Sequence, residues 1–288
     1  MMDSEPTPSQ FSMSNFETLV AGIELLYGVG RKLSDAIAKQ PCEYLVQEAS
    51  MAFVKTMMSV FGFLRFIPAS RFFAAAGVTV TDLSSASVIG RQVLEDTISF
   101  FYLSEPDLTP QEKGLRKLVW EFHGKSEHID SGRLAAVPNV ERSPVWAECE
   151  RLRQAVRKHP LLETHPMLVG PENKRRRDNI RNGREGQIIH DHEILKRRGI
   201  CIERYDLPRK VLSNFAHFSK FSHDLMMQTS AEWQKSWGPF LHPTHAVAMF
   251  LAELHEAFIE TFPQNRLLLS QAEQEIVAKW RAPLRSPY

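Results

Sequence analysis

Arg91 and Glu95 stand one helical turn apart inside the apolar run GRQVLEDTISFFYL. A fixed cation beside a carboxylate can orient an anionic group or, when desolvated, hold a carboxylate for acid–base work. Ser219 and His223 form a second i,i+4 pair, in the stretch DLPRKVLSNFAHFSKFSHDLMMQ. An imidazole changes its proton near neutral pH, so His223 is the candidate general base and Ser219 a candidate substrate contact. His255 is a third candidate, in a stripe with Ala248, Leu251, Ala252, Phe258 and Ile259. Plainer readings stand beside each of these. Arg91–Glu95 can be a surface ion pair worth a few tenths of a kcal/mol (~0.3). A histidine in an apolar stripe can be a core residue satisfied by a backbone carbonyl.

Helices must position these groups, and their starts are legible. Ser14-Asn15-Phe16-Glu17, Thr109-Pro110-Gln111-Glu112 and Ser270-Gln271-Ala272-Glu273 are capping boxes, and Ser143-Pro144 and Asp82 or Ser84 open two further helices. The first helix is expected to break at Gly28-Val29-Gly30 and to stop before Pro41. A second spans about 42–66, a third runs to about Ser104, and a fourth fades near Ser126. The fifth carries Val145, Cys149, Leu152 and Val156 on one face. A central helix is expected from Asp206, with Pro208 in its first turn, to Gln228. Another follows over about 244–261. With no strand pattern, the expectation is an all-α, irregular multi-helix bundle of seven to nine helices. Residues 1–13 read as a disordered tail. Residues 14–288 read as a single helical domain with an irregular basic insert at about 160–200, punctuated by Pro160, Pro166, Gly170, Pro171, Gly183 and Gly186.

Composition narrows the classes. Hydrophobic residues make up 43% of the chain, enough for a sizeable core, and the net charge of +1 favours no class of partner. Cys42, Cys149 and Cys201 form no CxxC, so neither a zinc knuckle nor a disulfide framework is indicated. The apolar stretch 51–67 holds Lys55 and Arg65 and reads as a buried helix. No Glu-x-x-His and no HExxH occurs, so no metal or cofactor is expected. A soluble cytoplasmic protein is the resulting expectation, of unknown oligomeric state.

The R-x3-E of Arg91 and Glu95, followed by Tyr205 and the S-x3-H of Ser219 and His223, resembles a widespread prokaryotic family of uncharacterised all-helical domains. The resemblance spans about 84–227. It implies a helical fold and adds Tyr205 to the substrate-binding residues, but names no reaction. The segment 174–198 carries nine basic residues against four acidic ones. Such a patch can dock a phosphate backbone, which makes Arg175, Arg176 and Arg177 the candidate nucleic-acid contacts and RNA the candidate partner. Arg184 and His190 also resemble the Arg/His spacing of HEPN nucleases, with Glu185 where those enzymes prefer a residue such as Asn. The segment is expected to be loosely packed. Three functions follow: binding of an unknown small ligand or an undefined hydrolysis, a HEPN-like RNA-cleaving enzyme, or a non-catalytic helical interaction module.

Overall fold

A computed structural model describes residues 13–37, 42–75, 82–136, 139, 141, 143–216 and 238–286. Among the described residues every regular element is helical. The order is α1 (Met13–Ile37), α2 (Tyr44–Leu64), α3 (Arg71–Ala75), α4 (Leu83–Leu103), α5 (Pro110–Leu134), α6 (Pro144–Lys158), α7 (Leu161–Thr164), α8 (Lys174–Arg181), α9 (Asp191–Arg197), α10 (Glu203–Ala216), α11 (Gly238–Thr261) and α12 (Gln271–Arg281). Two 3-10 segments, Pro263–Leu268 and Ala282–Arg285, flank α12. The all-α class is as expected, but twelve α-helices among the described residues replace the seven to nine. The surplus lies in α3, α7, α8 and α9, the longest of which has eight residues. Prolines and glycines that read as loop punctuation leave room for one or two turns between them. Packing then sustains helices too short to persist alone. Among the described residues no helix is long and apolar enough to cross a membrane.

The chain divides into two compact units. The first comprises Met1–Cys42, Val46–Ser104 and Leu195–Tyr288, and the second Glu43–Leu45 and Glu105–Ile194. In the first unit α11 is the interior helix. Its run from Ala246 to Ala252 is buried throughout, as are Leu254, Phe258 and Ile259, and it packs against α1, α4, α10 and α12. A helix apolar on all sides belongs in a core, so α11 organises this unit.

α1 runs straight through Gly28 and Gly30, where a break was expected. The reason for one glycine is steric. A Cβ on Gly30 would run into Met57 Sδ and lie 2.8 Å from His255 Nε2, so α1 reaches these side chains only without one. A Cβ on Gly28 would meet nothing within 4 Å.

Glu253, fully buried on α11, closes the C-terminal end of this unit. Arg285 grips both its oxygens at 2.6 and 2.8 Å, Arg281 donates at 2.7 Å, and Arg198 at 3.2 Å. Arg198, one of the nine cations of the basic segment, also stacks over Phe101 at 5.1 Å. Both Arg285 contacts come from its one Nη2, and the charge-assisted bonds of three guanidinium groups together offset the desolvation of the one acid.

The second unit is built on α5 and α6. Cys149, Leu152 and Val156 bury the expected face of α6 against a core that includes Leu115, Val119 and Phe122. Thr109 caps α5 by accepting from the Glu112 N–H, and the helix continues past Ser126 to Leu134. Arg116 is wholly buried between Glu105 at 2.5 Å and Glu112 at 2.7 Å. The His165 imidazole lies 3.7 Å from Glu112. Contact with His165, and then Arg116, takes the Glu112 carboxyl down to about 2 against the upward push of burial.

The basic segment is not loosely packed. α8 buries Arg176, which donates to the carbonyls of Gln187 at 3.1 Å and Ile189 at 2.7 Å. Arg177 donates to the carbonyls of Leu168 and Gly170. Backbone acceptors in a helix-poor stretch need donors, and the two arginines supply them.

Candidate functional site

Asp82 caps α4, its carboxylate accepting from the Ser85 N–H, and fixes where the helix starts. The helix buries Ile98 and Tyr102 and brings Arg91 and Glu95 on the same side to the surface edge. The two side chains bond through Arg91 Nε and Glu95 Oε1 at 2.8 Å, and each is about a third exposed, at 31% and 36%. The pair is therefore half-solvated, not desolvated. Asp96 is the more buried carboxylate, on what reads as a narrow polar strip with Gln92. It accepts from Lys55 at 3.0 Å and from Gln92 at 2.7 Å.

α10 faces Arg91 and Glu95. Its helix starts at Glu203, so Pro208 lies inside it and not in the first turn. Proline has no N–H to donate, so the carbonyl one turn back loses its usual partner. Acidic Glu203 and Asp206 at the N-terminal end suit the helix dipole. Tyr205, Leu212 and Phe215 form the buried face, with Tyr205 against Phe250 at 5.8 Å between ring centroids. Asp206, Arg209, Lys210, Ser213 and Asn214 recur at i, i+3, i+4, i+7 and i+8, so they share one polar stripe.

That stripe and Arg91 line an open pocket of about 450 Å³. Arg91 Nη1 donates to Ser213 Oγ at 3.3 Å, and Arg209 Nε lies 4.0 Å from Glu95. The Arg209 guanidinium also sits 5.8 Å from the centre of the Tyr205 ring. Lys210 is exposed and makes no ion pair with a described residue. Arg91 and Arg209 share Glu95, and among the described lining residues Asp206 is the one carboxylate beside Arg91, Arg209 and Lys210, which leaves the site with a surplus of positive charge. Ser213 and Asn214 add uncharged hydrogen-bonding groups. Such a set can capture an anion.

Of the other residues singled out by sequence, Ser219 and His223 lie outside the described residues, as does the expected continuation of the central helix to Gln228. Tyr205 is buried on the opposite, core-facing side of α10, with Arg209 reaching over its ring. His255 is fully buried beside Phe53, and neither ring nitrogen has a hydrogen-bond partner among the described residues. Burial pushes its imidazole down to about 3, so it is neutral in the folded protein at ordinary pH. Arg175 is exposed on α8, while Arg176 and Arg177 serve the backbone as described above. Arg184 and His190 fall in a non-helical stretch. Burial and then Arg176 hold the His190 imidazole below its usual value. Among the described residues no three His, Cys, Asp or Glu side chains gather as a metal-holding group. Sequence reasoning missed the α10 stripe, although its i, i+3, i+4, i+7, i+8 spacing was there to be read. Comparison with known proteins finds no matching family model, no matching curated protein and no matching solved structure.

Proposed function

We propose that the protein binds a small anionic molecule, bearing a carboxylate or phosphate, in the pocket between α4 and α10. The observation that carries this reading is the unpaired charge of Lys210, next to Arg209 and Arg91 that share the one Glu95 carboxylate, with an Arg91–Ser213 contact in the same open pocket. Its volume falls within the roughly 300–1,000 Å³ typical of small-molecule sites. Arginine forks suit the planar or tetrahedral oxygens of such a ligand, and lysine adds a mobile charge. Arg91 and Glu95 act here as positioning groups, Glu95 holding the guanidinium in place.

Calorimetric titration with a panel of small carboxylates and phosphomonoesters tests the reading. At least one should bind, and Arg209→Ala combined with Lys210→Ala should weaken it by about tenfold or more, since charge-assisted hydrogen bonds are lost. Both positions are exposed, so the fold should tolerate the changes. Binding by no member of the panel, or equal binding by the double variant, removes the proposal. Filter retention of single-stranded RNA that falls steeply with salt would favour the nucleic-acid reading instead.

A further inference from the structure

We infer that the second unit carries its own anion site, separate from the α4–α10 pocket, built for the phosphate group of a small phosphomonoester. A pocket of about 220 Å³ opens beside α5 and α6, and its lining includes Ser126, Arg133, Trp146, Cys149, Arg153 and Arg184. Among the described lining residues three guanidinium groups stand with one carboxylate, that of Asp130.

The three arginines differ in how far they are committed. Arg133 lies 3.6 Å from Asp130 and 3.4 Å from Glu141, and its guanidinium covers the Trp146 ring at 4.9 Å. Arg153 donates from one nitrogen to Glu150 at 2.6 Å. Arg184 is exposed and makes no ion pair with a described residue, so its whole fork is available.

The loop that presents Arg184 is tied down next to it. Gly183 has φ +72°, the left-handed region, and a Cβ there would overlap Ser126 Oγ. Its carbonyl is bonded to His123 Nδ1 at 2.9 Å. Glycine thus lets the chain close onto α5 at the residue before Arg184. The Ser126 hydroxyl and the Cys149 thiol lie 3.6 Å apart. A phosphate dianion matches this set, because guanidinium N–H pairs fit its oxygens and a hydroxyl can donate to a third. The volume is below that of drug-sized sites, which favours a small phosphomonoester over a large ligand.

The test uses the full chain carrying Arg209→Ala and Lys210→Ala, so that the α4–α10 pocket is weakened and the effect of Arg184 is read against that fixed background. Inorganic phosphate is titrated by calorimetry, with chloride at matched ionic strength as the control. Phosphate should bind, and adding Arg184→Ala should weaken it by about tenfold or more. Arg184→Lys, which keeps the charge and loses the fork, should fall between. A nucleoside monophosphate and a 5′-phosphorylated oligonucleotide, each titrated alone, separate a free small ligand from an RNA end. The monophosphate should bind at least as tightly as the oligonucleotide. No binding of phosphate above the chloride control, or binding unchanged by Arg184→Ala, overturns the inference. An oligonucleotide that binds far more tightly than the monophosphate overturns its assignment to a small ligand. Since the α4–α10 pocket is the same in every variant compared and shares no lining residue with this one, the Arg184 outcomes do not bear on that pocket's own ligand.

Discussion

His255→Leu should stabilise the protein, and by more at pH 5 than at pH 7. The imidazole is fully buried, against Phe53, and both ring nitrogens lack a partner among the described residues. A buried polar group without its hydrogen bond costs about 1–3 kcal/mol, and leucine fills a similar space without one. A gain of about 1–2 kcal/mol at pH 7 follows, after allowing for imperfect shape. The pH term adds to it. Burial takes the folded-state pKa down to about 3 from the ordinary 6.5. A depressed histidine pKa means that the unfolded chain binds more protons between these values. Stability is therefore full above pH 6.5 and declines as pH falls toward 3. At about 1.4 kcal/mol per pH unit, the decline between pH 7 and pH 5 is about 2 kcal/mol, provided the folded pKa lies below 5. Urea denaturation of both proteins at the two pH values measures this, and subtraction removes the other histidines. The advantage of the variant should grow by about 2 kcal/mol on going to pH 5. An advantage independent of pH would refute a buried, unpartnered imidazole at this position.

Further outcomes follow from the packing and the charges. Gly28→Ala should raise stability by about 0.5–1 kcal/mol, since nothing lies near its Cβ, whereas Gly30→Ala should lower it by about 1–3 kcal/mol; thermal melts of the two variants should move in opposite directions. Glu95→Ala should cost under about 1 kcal/mol, because the Arg91 pair is half-solvated, and a loss of several kcal/mol in denaturant would argue for a buried pair. Glu253→Ala should cost about 3–5 kcal/mol by leaving Arg198, Arg281 and Arg285 around an empty position, which a large drop in the urea midpoint would register. Glu112 has a depressed carboxyl pKa, so its contribution is present above pH 4.5 and lost as pH falls toward 2; Glu112→Gln should flatten the acid limb of a stability–pH profile over that window, by about 2 kcal/mol after discounting for solvent access.

The sequence by itself determined where four helices begin, but not where α1, α10 and α11 do. α1 starts at Met13, ahead of the Ser14 expected to cap it, α10 at Glu203 and not Asp206, and α11 at Gly238 and not near Thr244. Asp82, Thr109, Ser143 and Ser270 each accept from a backbone N–H three residues on, as their side chains suggest. Capping is local chemistry, settled within one turn, and the full capping box at Ser270–Glu273 shows it. The buried face of α6 was equally legible, because periodicity along one helix needs no knowledge of its neighbour. What the tertiary structure alone decided are the long-range pairings. Gly28 and Gly30 look alike in sequence, yet only Gly30 lies against Met57 and His255, residues distant along the chain. Arg175 and Arg176 are adjacent and chemically identical, yet one is exposed and the other is buried against the carbonyls of Gln187 and Ile189. Arg91 and Glu95 were recognisable as a pair, but their partners on α10, Ser213 and Arg209, were not. Helix propensity and capping act over a few residues, whereas the burial of a charge depends on which backbone acceptors and carboxylates the folded chain brings beside it.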